Sequence, residues 1–232
     1  MKTWHFLFLL IIFSCGKISP KGEIVAKHIS VEDFNSLNLN GKFRVFLAGS
    51  DSSFVNVETY PNFADNLKIN VEANVLNISE KREVSGVDFY TVTVYAKNPL
   101  RRISVADSVE VNVSGALNNP QIEIELKDQA KFIGALNTDF AEIKMKNLSK
   151  ANFTGFSKKS AMQIADTASV IAPYFQIGTL DLDFKNGGYA EVNVKDSIKG
   201  NVRNTAQLLY YNEPVRAFNS DKSATVNNKK LD

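Results

Sequence analysis

Short runs of alternating apolar and polar residues recur along most of this chain. Lys42-Phe43-Arg44-Val45-Phe46-Leu47, Val55-Asn56-Val57-Glu58-Thr59, Leu67-Lys68-Ile69-Asn70-Val71 and Thr91-Val92-Thr93-Val94-Tyr95 are examples. A period of two predicts β-strands with one buried face. Asn40-Gly41, Ser85-Gly86, Asn98-Pro99 and Asn119-Pro120 punctuate the runs as turns. Helical periodicity is almost absent. Its best window, Asn62 to Lys68, amounts to two turns at most.

From about residue 100 the runs fall into phase. Val109-x-Val111-x-Val113, Ala130-x-Phe132-x-Gly134, Ala151-x-Phe153-x-Gly155, Ala168-x-Val170-x-Ala172, Ala190-x-Val192-x-Val194 and Ala206-x-Leu208-x-Tyr210 follow one another at steps of 16 to 22 residues. A second apolar series precedes each: Ile103-x-Val105, Ile122-x-Ile124-x-Leu126, Ile143-x-Met145, Met162-x-Ile164, Leu180-x-Leu182-x-Phe184 and Ile198-x-x-x-Val202. Polar corners separate the two series: Asp107-Ser108, Asp128-Gln129, Ser149-Lys150, Asp166-Thr167, Gly187-Gly188 and Asn204-Thr205.

A repeat of this length predicts an all-β solenoid, a parallel β-helix. One coil cannot bury its own apolar residues, but the next coil stacked on it can. Residues in the same phase would then form columns about 4.8 Å apart. On this phasing Phe132 and Phe153 share one column, with Val111 and Val170 around them. The alternative is a β-sandwich, which also has closely spaced strands but needs no repeated residue type at each phase.

The first residues carry an address. Lys2 is followed by Trp4 to Phe13, apolar except for His5. That run is short of the roughly 20 residues that span a bilayer and fits the core of a secretory signal. It ends in Ile12-Phe13-Ser14-Cys15-Gly16, which resembles a bacterial lipobox. The expected organisation is a signal peptide over 1–14, lipidation at Cys15, a tether over 15–25, a β-helix domain over 26–216, and a tail or cap over 217–232. Cys15 is the single cysteine, so no internal disulfide or all-cysteine zinc site is available.

Composition narrows the partners. The chain is 44% hydrophobic and 22% charged, with 27 Lys+Arg against 25 Asp+Glu. Lys2 is the one charged residue ahead of Cys15, so the remaining chain is almost neutral. No basic field for nucleic acid exists, and Lys158-Lys159 and Lys229-Lys230 read as solvated pairs.

Asp33-Phe34-Asn35-Ser36-Leu37-Asn38-Leu39-Asn40-Gly41 through Val45-Phe46-Leu47-Ala48-Gly49 resembles the opening of the bacterial family called putative auto-transporter adhesin, head GIN domain. Val55-Asn56-Val57-Glu58, Leu67-Lys68-Ile69 and Val75-Leu76-Asn77-Ile78-Ser79 follow its next strands in order. Val92 to Tyr95 and Pro99 to Ile103 resemble its strand-proline-strand step, and Leu209 to Pro214 its closing segment. The resemblance implies a right-handed single-stranded parallel β-helix, commonly on a lipoprotein. It brings no catalytic or binding residue. The family's Gly-Ser-Gly-Asp corners survive here only in part, as Ser114-Gly115, Thr154-Gly155 and Asn186-Gly187-Gly188.

Parallel β-helices also include polysaccharide-cleaving enzymes, so carboxylates need weighing. Asn137-Thr138-Asp139 resembles one polygalacturonase motif, but the other motifs that should follow it are missing, and a corner between coils explains it. Asp181 and Asp183 share one face of a strand and alternate with Leu180, Leu182 and Phe184, as an inside-outside strand does. His28 is the one histidine beyond the signal, which leaves no His-based zinc site and no ready catalytic triad. Tyr210-Tyr211 and Tyr174-Phe175 are the aromatic pairs best suited to stacking on a sugar. Asp107-Ser108-Val109, Asp166-Thr167-Ala168 and Asp196-Ser197-Ile198 match an O-glycosylation pattern, at Ser108, Thr167 and Ser197.

These readings predict a non-catalytic, adhesin-like lipoprotein without cofactor or metal. It would sit in the outer membrane, facing the periplasm or the cell surface, with an envelope glycan or protein as partner. A pectinase-like enzyme is the alternative.

Overall fold

The computed structural model describes residues 16–230; the expected signal peptide and Cys15 lie outside them. The chain is a β-solenoid of about 7 turns, 66% strand and 2% helix. Its strands are β1 (Val25–Ser30), β2 (Ser36–Gly41), β3 (Arg44–Gly49), β4 (Phe54–Thr59), β5 (Leu67–Glu72), β6 (Val75–Glu80), β7 (Tyr90–Ala96), β8 (Arg102–Asp107) and β9 (Glu110–Asn118). They continue with β10 (Gln121–Leu126), β11 (Lys131–Met145), β12 (Lys150–Ile164), β13 (Ser169–Phe184), β14 (Tyr189–Val202), β15 (Gln207–Tyr211), β16 (Val215–Ser220) and β17 (Thr225–Lys229). The single helix among the described residues, α1 (Pro61–Ala64), overlaps the start of the window singled out by periodicity and makes only one turn.

From β8 onward the chain climbs one coil per repeat. One broad face is built by parallel pairing of β8, β10 and the second halves of β11 to β14, ending on β16. The opposite face runs through β9 and the first halves of β11 to β14 to β15 and β17. β17 thus belongs to the last coil, within the stretch expected as tail or cap. Coil-to-coil parallel pairing is the solenoid arrangement, and the sandwich alternative is not adopted.

The first hundred residues do not follow chain order in space. β2 lies between β6 and β8, and β3 between β7 and β9. The chain lays down one coil, doubles back through β4 and β5, adds β6–β7 beneath it, then crosses to continue above. Three antiparallel pairings finish this end: β1 with β4, β4 with β7, and β5 with β6. Phe63, Tyr90 and Phe43 plug the core there, with ring centroids 5.3 and 5.6 Å apart. The expected tether is not free. Arg82 donates to the Gly16 carbonyl at 2.7 Å, and Ile18 bridges Val84.

Corners repeat with the same geometry. Asp107, Asp128, Asn147, Asp166, Asn186 and Asn204 all have φ between 52° and 63°. Asp and Asn tolerate this left-handed backbone because their short polar side chains bond locally. They also bond to one another between coils: Asn147 Nδ2 reaches Asp128 at 2.8 Å, and the Asn204 amide reaches Asp221 at 2.8 Å. Two residues after each corner the chain turns inward with Val109, Ala130, Ser149, Ala168, Gly188 or Ala206.

Three details of the expected phase are corrected. The third corner is Asn147-Leu148, not Ser149-Lys150, since Asn147 has the positive φ and Ser149 is fully buried, and the fifth is Asn186-Gly187, not Gly187-Gly188, since Asn186 and Gly187 have positive φ and Gly188 turns inward. Phe132 and Phe153 do not share a column: Phe132 registers with Ala151, and Phe153 with Gly134. The coil between them is 19 residues long by corner spacing, so a 21-residue step slips by one inward position.

Candidate functional site

The carboxylates of Asp181, Asp183, Glu123 and Glu142 are engaged by cations. Asp181 and Asp183 point outward from β13 while Leu180, Leu182 and Phe184 are buried. Each is paired with a cation of the next coil, Asp181 with Lys199 at 3.0 Å and Asp183 with Arg203 at 2.5 Å. Glu123 and Glu142 line an open groove of about 750 Å³ with Asn35, Asn98, Arg101, Asn119 and Gln121. Lys144 bridges these two carboxylates at 3.2 and 2.8 Å. Both glutamates of the groove therefore share one lysine partner. Asn137-Thr138-Asp139 lies inside β11, where its two halves meet, and not at a corner between coils: the Thr138 hydroxyl bonds the Pro120 and Phe140 carbonyls, and the Asp139 amide donates to Pro120. His28 bonds Asn56 at 2.9 Å on the exposed face of β1. Among the described residues no three His, Cys, Asp or Glu side chains converge as a metal site, and no helix is long and apolar enough to cross a membrane.

The glycosylation pattern has a structural cause at two of its three positions. Asp107 and Asp166 are left-handed corners, and the apolar third residues, Val109 and Ala168, are the buried residues that follow. Thr167 is exposed and donates to the Asn147 carbonyl at 3.1 Å. Ser108 is half-buried at its corner, and Ser197 is half-buried within β14.

The two aromatic pairs divide between core and surface. Tyr210 and Phe175 are buried, whereas Tyr211 and Tyr174 face outward. Tyr174 is 72% exposed because β13 bulges there: Ala172 registers with Val192, but the next pair is Gln176 with Asn193. A bulge re-aims side chains, and here it drives Phe175 inward and Tyr174 outward. The Asn193 side-chain amide holds the bulge by donating to the Pro173 carbonyl at 2.9 Å.

Beside the bulge, Tyr189 and Glu191 project from β14 while Ala190 and Val192 are buried. The Tyr211 hydroxyl, one coil on, donates to one oxygen of Glu191, and the Tyr189 hydroxyl reaches the other at 3.5 Å. The Glu191 bond pushes the Tyr211 phenol up to about 12, with smaller contributions from burial, Tyr189 and Tyr174. Ile171 and Leu209 flank Glu191 in register, one coil to either side. This column extends along the flank as Phe46, Asn112, Ile133, Asn152, Ile171, Glu191, Leu209 and Asn227, apolar and polar by turns. Ile133 and Ile171 are exposed.

Sequence reasoning picks out Tyr174 and Tyr211 but misses Tyr189 and Glu191. Pro173 inside an apolar run is a bulge signal. Nothing local, however, tells that Tyr211 closes on a carboxylate 20 residues away.

Solved structures share this fold. A putative adhesin from Bacteroides fragilis aligns with a TM-score of 0.86 at 16% identity, covering 91% of this chain and 100% of its own. A putative lipid binding protein from Parabacteroides distasonis gives 0.74 at 15%, covering 92% and 100%. A putative adhesin from Parabacteroides merdae gives 0.73 at 14%, covering 92% and 99%. No curated protein matches the sequence. The family model described as putative auto-transporter adhesin, head GIN domain, matches residues 33–214, and the chain belongs to that family.

Proposed function

We propose that this chain is a non-catalytic, adhesin-like binding module of the cell envelope, anchored in the outer membrane by lipid on Cys15. The observation that carries the binding reading is the flank patch of Tyr174, Tyr189, Tyr211 and Glu191. Exposed aromatic surface on a rigid scaffold is the mark of a recognition site. Family membership among putative adhesins agrees with it. The pairing of Asp181, Asp183, Glu123 and Glu142 with cations counts against the polysaccharide-cleaving alternative.

The anchor rests on Ile12 to Cys15. Each buried CH₂ contributes about 0.8 kcal/mol, so two or three acyl chains hold a protein on a membrane. The chain then faces either the periplasm or the cell surface. Cys15→Ser is expected to move it to the soluble fraction, and intact mass of the native chain to carry the acyl groups. A native mass without them overturns the anchor. O-glycosylation at Ser108, Thr167 and Ser197 belongs to the same proposal, with exposed Thr167 as the first acceptor. Peptide mass spectrometry finding all three unmodified removes it.

A further inference from the structure

We infer that Tyr174, Tyr189 and Tyr211 around Glu191 form a subsite for a neutral polysaccharide; this rests on the binding-module reading and names what the module binds. Tyr174 supplies the first argument. The bulge seats Phe175 in the core, and it leaves the Tyr174 ring 72% exposed with no part in that core. It is pinned by Asn193, so the ring is presented from an ordered backbone.

Glu191 supplies the second. Of the outward carboxylates, Asp181, Asp183 and Glu110 have lysine or arginine partners. Among the described residues Glu191 has none, and its partners are two tyrosine hydroxyls. Each carboxylate oxygen keeps further lone pairs. A carboxylate that already accepts hydroxyls, with tyrosines beside it, has the chemistry of sugar recognition: O–H groups go to the acid and the C–H faces of the ring to the apolar surface. Ile171 and Leu209, in register on either side, extend that apolar surface.

Charge decides which sugar. Glu191, which makes no ion pair among the described residues, repels uronate, sulfate and phosphate groups, so the proposed ligand is neutral; Lys229 stands in register with Tyr211 one coil on, and the acidic gel tests whether it outweighs Glu191. Spacing decides the form. Coils repeat at about 4.8 Å, close to the advance per residue of an extended polysaccharide, so a chain lying along the axis meets successive coils in phase.

The test is affinity electrophoresis of the full chain through native gels containing neutral glucan, mannan or galactan, or acidic polygalacturonate. Retardation by a neutral polysaccharide and none by the acidic one is expected. Tyr174→Ala and Tyr211→Ala should each weaken it about tenfold, near the scale of one aromatic contact. Tyr211→Phe, which keeps the ring, should weaken it less. Glu191→Gln should lessen the discrimination against the acidic gel. Unfolding midpoints of the variants confirm that they fold. Folded Tyr174→Ala and Tyr211→Ala chains retarded as strongly as wild type overturn the subsite, as does retardation by polygalacturonate alone. Sedimentation with isolated envelopes separates the two readings. A wild-type chain that binds envelopes but no neutral polysaccharide loses the subsite and keeps the binding module; one that binds neither loses both.

Discussion

The rings of Phe132 and Phe153 stand 5.4 Å apart, but the two residues occupy neighbouring inner columns, Phe132 against Ala151 and Phe153 against Gly134. Phe175 continues the diagonal at 5.9 Å from Phe153. Large rings climb one inward position per coil, and small residues fill the places they leave. A Cβ on Gly134 would come within 2.7 Å of the Val113 side chain, so the gap is already full. Phe153→Ala is expected to cost about 3 to 5 kcal/mol, the range for a buried Phe. Phe153→Asp should not fold. Denaturant unfolding checks both, and an unchanged midpoint for Phe153→Ala contradicts the diagonal.

Ser160 faces the core between Ala141 and Leu180, and its hydroxyl has no hydrogen-bond partner among the described residues. An unsatisfied buried hydroxyl costs about 1 to 3 kcal/mol. Ser160→Ala should therefore raise the unfolding midpoint or leave it unchanged. A clear fall would mean that the hydroxyl is bonded.

The β5–β6 hairpin turns through Ala73 and Asn74, both at positive φ, 49° and 61°. Such two-residue turns favour Asn-Gly types, and Ala pays about 1–2 kcal/mol in the left-handed region. Ala73→Gly should stabilise the chain by about 0.5 to 1 kcal/mol, the balance left after the added freedom of the unfolded glycine. Loss of stability on this change would contradict the turn.

Burial pushes the Glu80 carboxyl above the usual range, and Asp107 adds to the rise; the Lys42 backbone amide, donating at 3.1 Å, opposes it. The folded state therefore holds this proton more tightly than the unfolded chain. Its contribution is present below the ordinary glutamate value, about 4.3, and is lost as pH rises through the higher folded value. Glu80→Gln keeps an acceptor for Lys42 and removes the charge. It should raise the melting temperature at pH 7 and make little difference at pH 3. The same difference at both pH values would contradict the assignment.

Much of this architecture is legible in the sequence from Asp107 on. Period-two runs and polar corners locate the coils because Asp and Asn are favoured where φ is positive. Exact phase is harder to read: the coil ending at Asn147 is shorter than its predecessor, so counting alone places Phe153 over Phe132. The doubling back of β4 to β7 is not legible. Strand signals there are as clear as elsewhere, but which strand lies beside β2 depends on long-range packing. The flank site is split in the same way. Exposed tyrosines are visible as residue types, while the convergence of Tyr189 and Tyr211 on Glu191 exists only after the coils stack.

The account's central claim is that this solenoid binds and does not cleave. The direct measurement is incubation of the full chain with insoluble cell-envelope glycan, followed by sedimentation, reading protein in the pellet and reducing sugar in the supernatant. The account predicts protein in the pellet and a supernatant that gains no reducing ends with time. Reducing ends that accumulate with wild type and vanish in Glu123→Gln or Glu142→Gln chains would contradict it.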